Sequence, residues 1–217
     1  MSYLLRVVLP DQPGMLGAVA TALGRAGADI ISLDVVDRGP EGAVDDLLVT
    51  LPAGGLADTL ITCAQSVPGV VVESMRPYVG ADDLHHDLEL VEELAAEPAR
   101  GLELLVDNIP GVFRAGWAVL LDAQSHPATV VWASSGAPDV GLLATPWLPL
   151  PAPRRVDPQE AWVPQRWLEL GIELAVAPVG RPERAVLVGR PGGPRLRDSE
   201  VLRLAHLAGI AATVSGA

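Results

Sequence analysis

Two glycine-bearing junctions constrain the N-terminal third of this chain more than any other feature. Asp11-Gln12-Pro13-Gly14 follows the apolar run Tyr3–Leu9, and Gly27-Ala28-Asp29-Ile30 follows Arg25. Between them Leu16, Val19, Ala20 and Leu23 recur at helical spacing, with Pro13 suited to the first turn and Gly27 to the stop. A strand, a tight turn, an amphipathic helix and a second strand are therefore expected in that order. A helix that opens directly from a turn presents backbone N–H groups with no partner in the helix, an arrangement that suits a small carboxylate.

The pattern continues. Asp29–Asp37 sets Ile31, Leu33 and Val35 on one face and Ser32 and Asp34 on the other, the signature of a half-buried strand. Arg38-Gly39-Pro40-Glu41-Gly42 reads as a hairpin loop returning into the strand Ala43–Leu51. A second helix over Leu56–Ser66 has Leu56, Leu60, Cys63 and Ala64 on one stripe, and Pro68-Gly69 breaks before the strand Val70–Arg76. The order β-α-β-β-α-β is ferredoxin-like: four antiparallel strands with both helices on one face. The expected fold class is α+β, and the expected domains are residues 1–80 and 81–217.

Charge narrows the functional classes. The net charge is −12, all fifteen basic residues are arginine, and residues 1–80 and 81–217 are each net acidic. Neutralising nucleic-acid phosphates needs basic surface, so no nucleic acid is expected as partner. No apolar run is long enough to span a bilayer, and Met1-Ser2-Tyr3-Leu4-Leu5-Arg6 has no leader pattern. A cytoplasmic protein without a membrane partner is the expectation. The single cysteine, Cys63, excludes an intramolecular disulfide and reads as a small buried hydrophobe.

Residues 81–107 are dense in Asp and Glu, with Leu84, Leu88, Val91, Leu94 and Ala95 at helical spacing. They read as an acidic connecting helix with a solvated polar side and a break near Pro98. Strands are expected at Ala115–Asp122 and Thr129–Ser134 around a Gln124-Ser125-His126-Pro127 turn. Two more, Ile172–Val179 and Ala185–Arg190, flank Gly180-Arg181-Pro182. A helix over Ser199–Val214 with Asp198 as N-cap closes the chain. The segment 136–167, rich in proline and tryptophan, reads as a long loop or lid. Trp117 and Trp132, on strands, are expected in the core, and the tryptophans of the proline-rich segment are candidates for the lid.

The N-terminal unit resembles the ACT domain, the amino-acid-sensing module of metabolic regulators. The likeness rests on Asp11-Gln12-Pro13-Gly14 with Leu16 behind it, on Gly27-Ala28-Asp29-Ile30, and on Val67-Pro68-Gly69-Val70. It implies a homodimer paired through the ACT sheet, with an effector where the first loop of one subunit meets the second strand of the other. The implied ligand-binding residues are Asp11, Gln12, Pro13, Gly14, Met15, Leu16, Asp29 and Ile30. Gly14 lets a ligand approach the backbone, and the N–H groups near Met15 and Leu16 would hold an α-carboxylate. Asp29 stands where many members have asparagine; a carboxylate there favours an ammonium group and repels a carboxylate. Residues 84–217 resemble, more diffusely, a diverged GAF domain, a sensory fold with an antiparallel sheet and helices.

No catalytic constellation, Walker loop or dinucleotide fingerprint is present, so no enzyme activity and no cofactor are expected. His85-His86-Asp87 lacks a helical i+4 partner, so no metal site is expected there. The expectation is a regulatory sensor that binds a small effector, an amino acid. An enzyme regulated by its ACT unit and a ligand-free dimerising adaptor remain alternatives.

Overall fold

The computed structural model describes residues 1–40, 42–78, 86–124, 128–140 and 143–217, in two compact units, Met1–Leu84 and His85–Ala217. The first unit runs β1 (Ser2–Leu9), α1 (Met15–Arg25), β2 (Asp29–Gly39), β3 (Gly42–Thr50), α2 (Ala57–Gln65) and β4 (Val71–Pro77). The strands form one sheet in the order β2-β3-β1-β4, every neighbour antiparallel. Leu5, Val7 and Leu9 of β1 and Ala43, Leu47 and Val49 of β3 pack with Val19 and Leu23 of α1 and Leu60 and Ala64 of α2. This is the ferredoxin-like βαββαβ arrangement the residue pattern predicts.

Both ends of α1 follow from glycine. Gly14 is the N-cap at φ 91°, a left-handed conformation that only glycine adopts without cost. The helix therefore begins at Met15, and Pro13 stands in the turn before it instead of in its first turn. At the other end Gly27 N–H donates to Gly24 O at 2.9 Å and Ala28 N–H to Leu23 O at 3.2 Å, the two bonds of a Schellman stop.

Three apolar expectations in this unit fail for one reason, position at an edge. Ile31, Leu33 and Val35 are 37%, 36% and 47% exposed, because β2 is an edge strand that contributes only the partly buried Ile30 to the core. Leu56 precedes α2 as its N-cap and is exposed. Cys63 is half-buried, on the flank of the stripe and not within it.

The second unit comprises α3 (His86–Ala96), a 3-10 turn (Pro98–Arg100), α4 (Gly101–Val112), β5 (Trp117–Asp122), β6 (Thr129–Ala133), β7 (Arg154–Val156), α5 (Gln165–Glu169), β8 (Glu173–Val179), β9 (Arg181–Arg190) and α6 (Asp198–Ser215). Its five strands form one antiparallel sheet, β6-β5-β9-β8-β7. Side chains alternate across it with period two. Ala118, Leu120, Ala175, Ala177, Val186 and Val188 face α3, α4 and α6, while Trp117, Val119, Leu121, Leu174, Val176, Ala185 and Leu187 face the tryptophan-rich segment.

The acidic stretch is thus a structural part of this unit and not merely a connector. Its helix breaks at Pro98 into α3 and α4, and Leu90, Leu94, Leu105, Val106 and Ile109 are fully buried. Leu88 faces solvent and the core stripe runs through Leu90, Val91 and Leu94; Leu84 and His85 lie outside the described residues. The predicted turn at 124–127 lies mostly outside them too. In α6 the N-cap is Arg197, with Asp198 in the first turn; Glu200 accepts the Arg197 N–H at 2.8 Å.

Candidate functional site

The turn between β1 and α1 is exposed from Asp11 to Gly14, and its amides are only partly committed. Gln12 N–H donates to Pro10 O at 2.8 Å, Met15 N–H to Gln12 O at 3.3 Å, and Ala18 N–H starts the helix on Gly14 O at 2.9 Å. The Met15 amide is therefore engaged by the turn itself. The Leu16 and Gly17 amides make no hydrogen bond to the described residues, and they point out of the positive end of the α1 dipole. A β-carbon at Gly14 or Gly17 would meet nothing within 4 Å, so the approach to these amides is open. Leu16 packs against the core with its side chain and Met15 does the same, which fixes the helix end in place.

Asp29 and Ile30 are not beside this turn within one chain. Asp29 pairs with Thr50, which pairs with Ser2, whereas the turn follows Leu9 at the other end of β1. At about 3.3 Å per residue the two halves of the expected site stand roughly 20 Å apart.

A residue not singled out from sequence lies closer to the turn. Asp45 of β3 sits opposite Val7 and Val35, in the row that also carries Ala43, Leu47 and Val49 toward the helices. It is 3% exposed, and its Oδ1 has no hydrogen-bond partner. Burial pushes its carboxyl pKa up; Arg38 opposes this, and Asp46 and Asp11 add to it. The signal was present in the sequence. Adjacent strand residues point to opposite faces, so Asp45-Asp46 within Ala43–Val49 had to place one acid toward the helices. Asp46, on the other face, is held by a buried bidentate pair from Arg6, Nε to Oδ1 at 2.7 Å and Nη2 to Oδ2 at 2.8 Å.

In the second unit the buried charged groups are committed to structure. Asp122 accepts from Gln124 N–H, Arg184 and Arg181; burial pushes its carboxyl up, but these bonds together hold it below the usual range. Glu160 takes a bidentate pair from Arg154 and the indole N–H of Trp162 at 2.7 Å, and the Arg154 bonds lead in lowering its pKa to about 2. Arg190, fully buried, donates to Glu200, Phe113 O and Pro194 O. A cavity of about 610 Å³ opens beside α6, and its only charged side chain, Arg181, is tied to Asp122.

The tryptophans settle differently from expectation. Trp117 is buried as expected, but Trp132 is 37% exposed on the edge strand β6 and donates its indole N–H to Asp107 at 3.1 Å. Trp147, Trp162 and Trp167 are buried against the sheet, in the tilted pairs Trp117–Trp167 and Trp147–Trp162 with ring centroids 5.1 and 5.5 Å apart. They form a core layer and not an open lid. Gly189 makes room for it: a β-carbon there would lie 2.1 Å from the Trp117 indole.

Residues 3–73 match the family model of the ACT domain, and the N-terminal unit is an ACT domain. A search of curated proteins gives no match for the chain. Among solved structures, the chain is similar to the GAF domain of a sensor histidine kinase from Pseudomonas syringae pv. tomato. The identity is 13%, over 58% of this chain and 82% of that one, with a TM-score of 0.43. It is similar also to a methyl-accepting chemotaxis protein, 12% identical over 58% of this chain and 94% of that one, TM-score 0.43. A formyltetrahydrofolate deformylase from Pseudomonas putida KT2440 is 14% identical over 44% of this chain and 38% of that one, TM-score 0.30. Among the described residues no helix is long and apolar enough to cross a membrane.

Proposed function

We propose that this protein is a non-enzymatic regulator whose ACT domain binds an amino acid between two copies of the chain. The observation that carries the reading is the pair of uncommitted Leu16 and Gly17 amides at an open helix end, in a unit whose edge strand β2 is apolar and exposed. Two copies joined antiparallel along β2 would cover Ile31, Leu33 and Val35. They would also bring Asp29 and Ile30 of a second copy to the turn of the first, because β2 starts at the sheet end opposite that turn. The effector's α-carboxylate then rests on the Leu16 and Gly17 amides, and Asp29 of the second copy meets its ammonium group. Occupancy favours the paired state through this differential contact, which is the condition for a ligand to shift a population.

The absence of catalysis in this reading is supported by the chemistry of the second unit. Asp122, Glu160 and Glu200 are locked in arginine pairs, and the shifts of Asp122 and Glu160 run away from neutrality, whereas an acid–base catalyst is tuned toward it. Isothermal calorimetry against the twenty amino acids, with sedimentation in the presence and absence of each, tests the proposal. Binding of at least one with a shift toward dimer is the expected outcome. Heat from none of them removes the sensing role.

A further inference from the structure

The buried carboxyl of Asp45 points to what the effector carries. A strand row that packs Ala43, Leu47 and Val49 under two helices gains nothing from a carboxylate, and this one has an unpartnered Oδ1. Such an oxygen costs folding free energy wherever water is excluded and no donor replaces it. Its place is specific. Asp45 lies two residues along β3 from Ala43, whose partner Leu9 is the last residue of β1 before the Asp11–Leu16 turn. The charges that act on it are Arg38 of β2, Asp46 beside it, and Asp11 of the turn. Arg38 acts on it at a distance and forms no ion pair with it, so its Oδ1 is left without a donor among the described residues.

Resting on the reading above, the site therefore sets the Leu16 and Gly17 amides and the more distant Arg38 guanidinium against three carboxylates: Asp11, Asp45 and Asp29 of a second copy. The two exposed acids would meet the α-ammonium, and only the end of an extended side chain would reach as far in as the buried Asp45. We propose that the effector is a basic amino acid, and that Asp45 selects it by pairing with the side-chain cation. The ligand supplies the donor that the fold withholds, so specificity follows from a site left unsatisfied in its absence.

Calorimetry of the full chain with lysine, ornithine, arginine and norleucine tests this, norleucine having the length of lysine without its charge. The expected result is binding of at least one basic ligand about tenfold or more tighter than norleucine, a preference that D45N abolishes while norleucine affinity stays unchanged. On the unaltered protein, the Asp45 carboxyl-carbon resonance is expected to move on titration with the preferred basic ligand and not with norleucine, which removes any dependence on how the variant folds. Neutral amino acids binding as tightly as basic ones, a preference that survives in D45N, or an unmoved Asp45 resonance overturns the selection by Asp45 and leaves the amino-acid sensor standing. No binding of any amino acid overturns both.

Discussion

The two sheets of this protein are built from similar apolar strands and differ in how their faces are covered, although each keeps an exposed apolar edge strand, β2 in the ACT unit and β6, with Val130, Val131 and Trp132, in the other. In the C-terminal unit the chain covers both faces itself: α3, α4 and α6 on one, and the proline- and tryptophan-rich segment on the other, with β5, β8 and β9 buried throughout their middles. In the ACT unit two helices cover β1 and β3, and the edge strand β2 keeps Ile31, Leu33 and Val35 in solvent. Strands covered on both faces spend their apolar residues on the stability of their own unit. An uncovered apolar edge strand has surface left over for something else, and for β2 the proposed occupant is a second copy.

The sharpest way to break this contrast is to open the self-covered face. Trp117→Ala removes the ring that packs against Trp167 over Gly189, and is expected to cost about 3–5 kcal/mol of unfolding free energy, read from denaturant midpoints. Little change there would mean that the tryptophan layer is not the core it looks like. A smaller effect is expected from Glu160→Gln, which loosens the anchor of the same layer at Arg154 and Trp162, at roughly 1–3 kcal/mol. Because the Glu160 pKa falls from 4.5 to about 2 on folding, its contribution is complete above about pH 5 and is lost as pH drops through that interval. The variant and the parent should therefore converge in stability toward pH 2. The smallest stability effect belongs to the ACT edge: Leu33→Lys is expected to change unfolding free energy by no more than about 0.5 kcal/mol, yet to abolish self-association in sedimentation. A large loss of stability in that variant would show that β2 is core, and the contrast would fail.

Much of this was legible in sequence because it is local. Gly14 and Gly27 announce the ends of α1, and the break at Pro98 falls where the ring forbids a continuous helix. The ferredoxin-like βαββαβ arrangement of the ACT unit followed from the order of its elements. What was not legible depends on neighbours. Ile31, Leu33 and Val35 show the same alternation as a covered strand, and nothing in their period says that the strand lies at the edge of the sheet. Trp132 and Trp117 sit on adjacent strands with equal propensity, but only Trp117 lies in the middle of the sheet. β7 and α5 are too short to show a period of their own. At the candidate site, the turn was visible from Pro13-Gly14 and an inward-facing acid from the Asp45-Asp46 pair, while the commitment of the Met15 amide to Gln12 O and the missing partner of Asp45 Oδ1 were not.

The sequence by itself determined the elements, their order and the turn that frames the helix end, since these depend on backbone conformations imposed by glycine, proline and side-chain period. Only the tertiary structure decided which apolar residues are covered, which amides stay uncommitted and which carboxylate is sealed without a partner. Burial and hydrogen-bond satisfaction are properties of contacts between distant segments, and no local pattern encodes them.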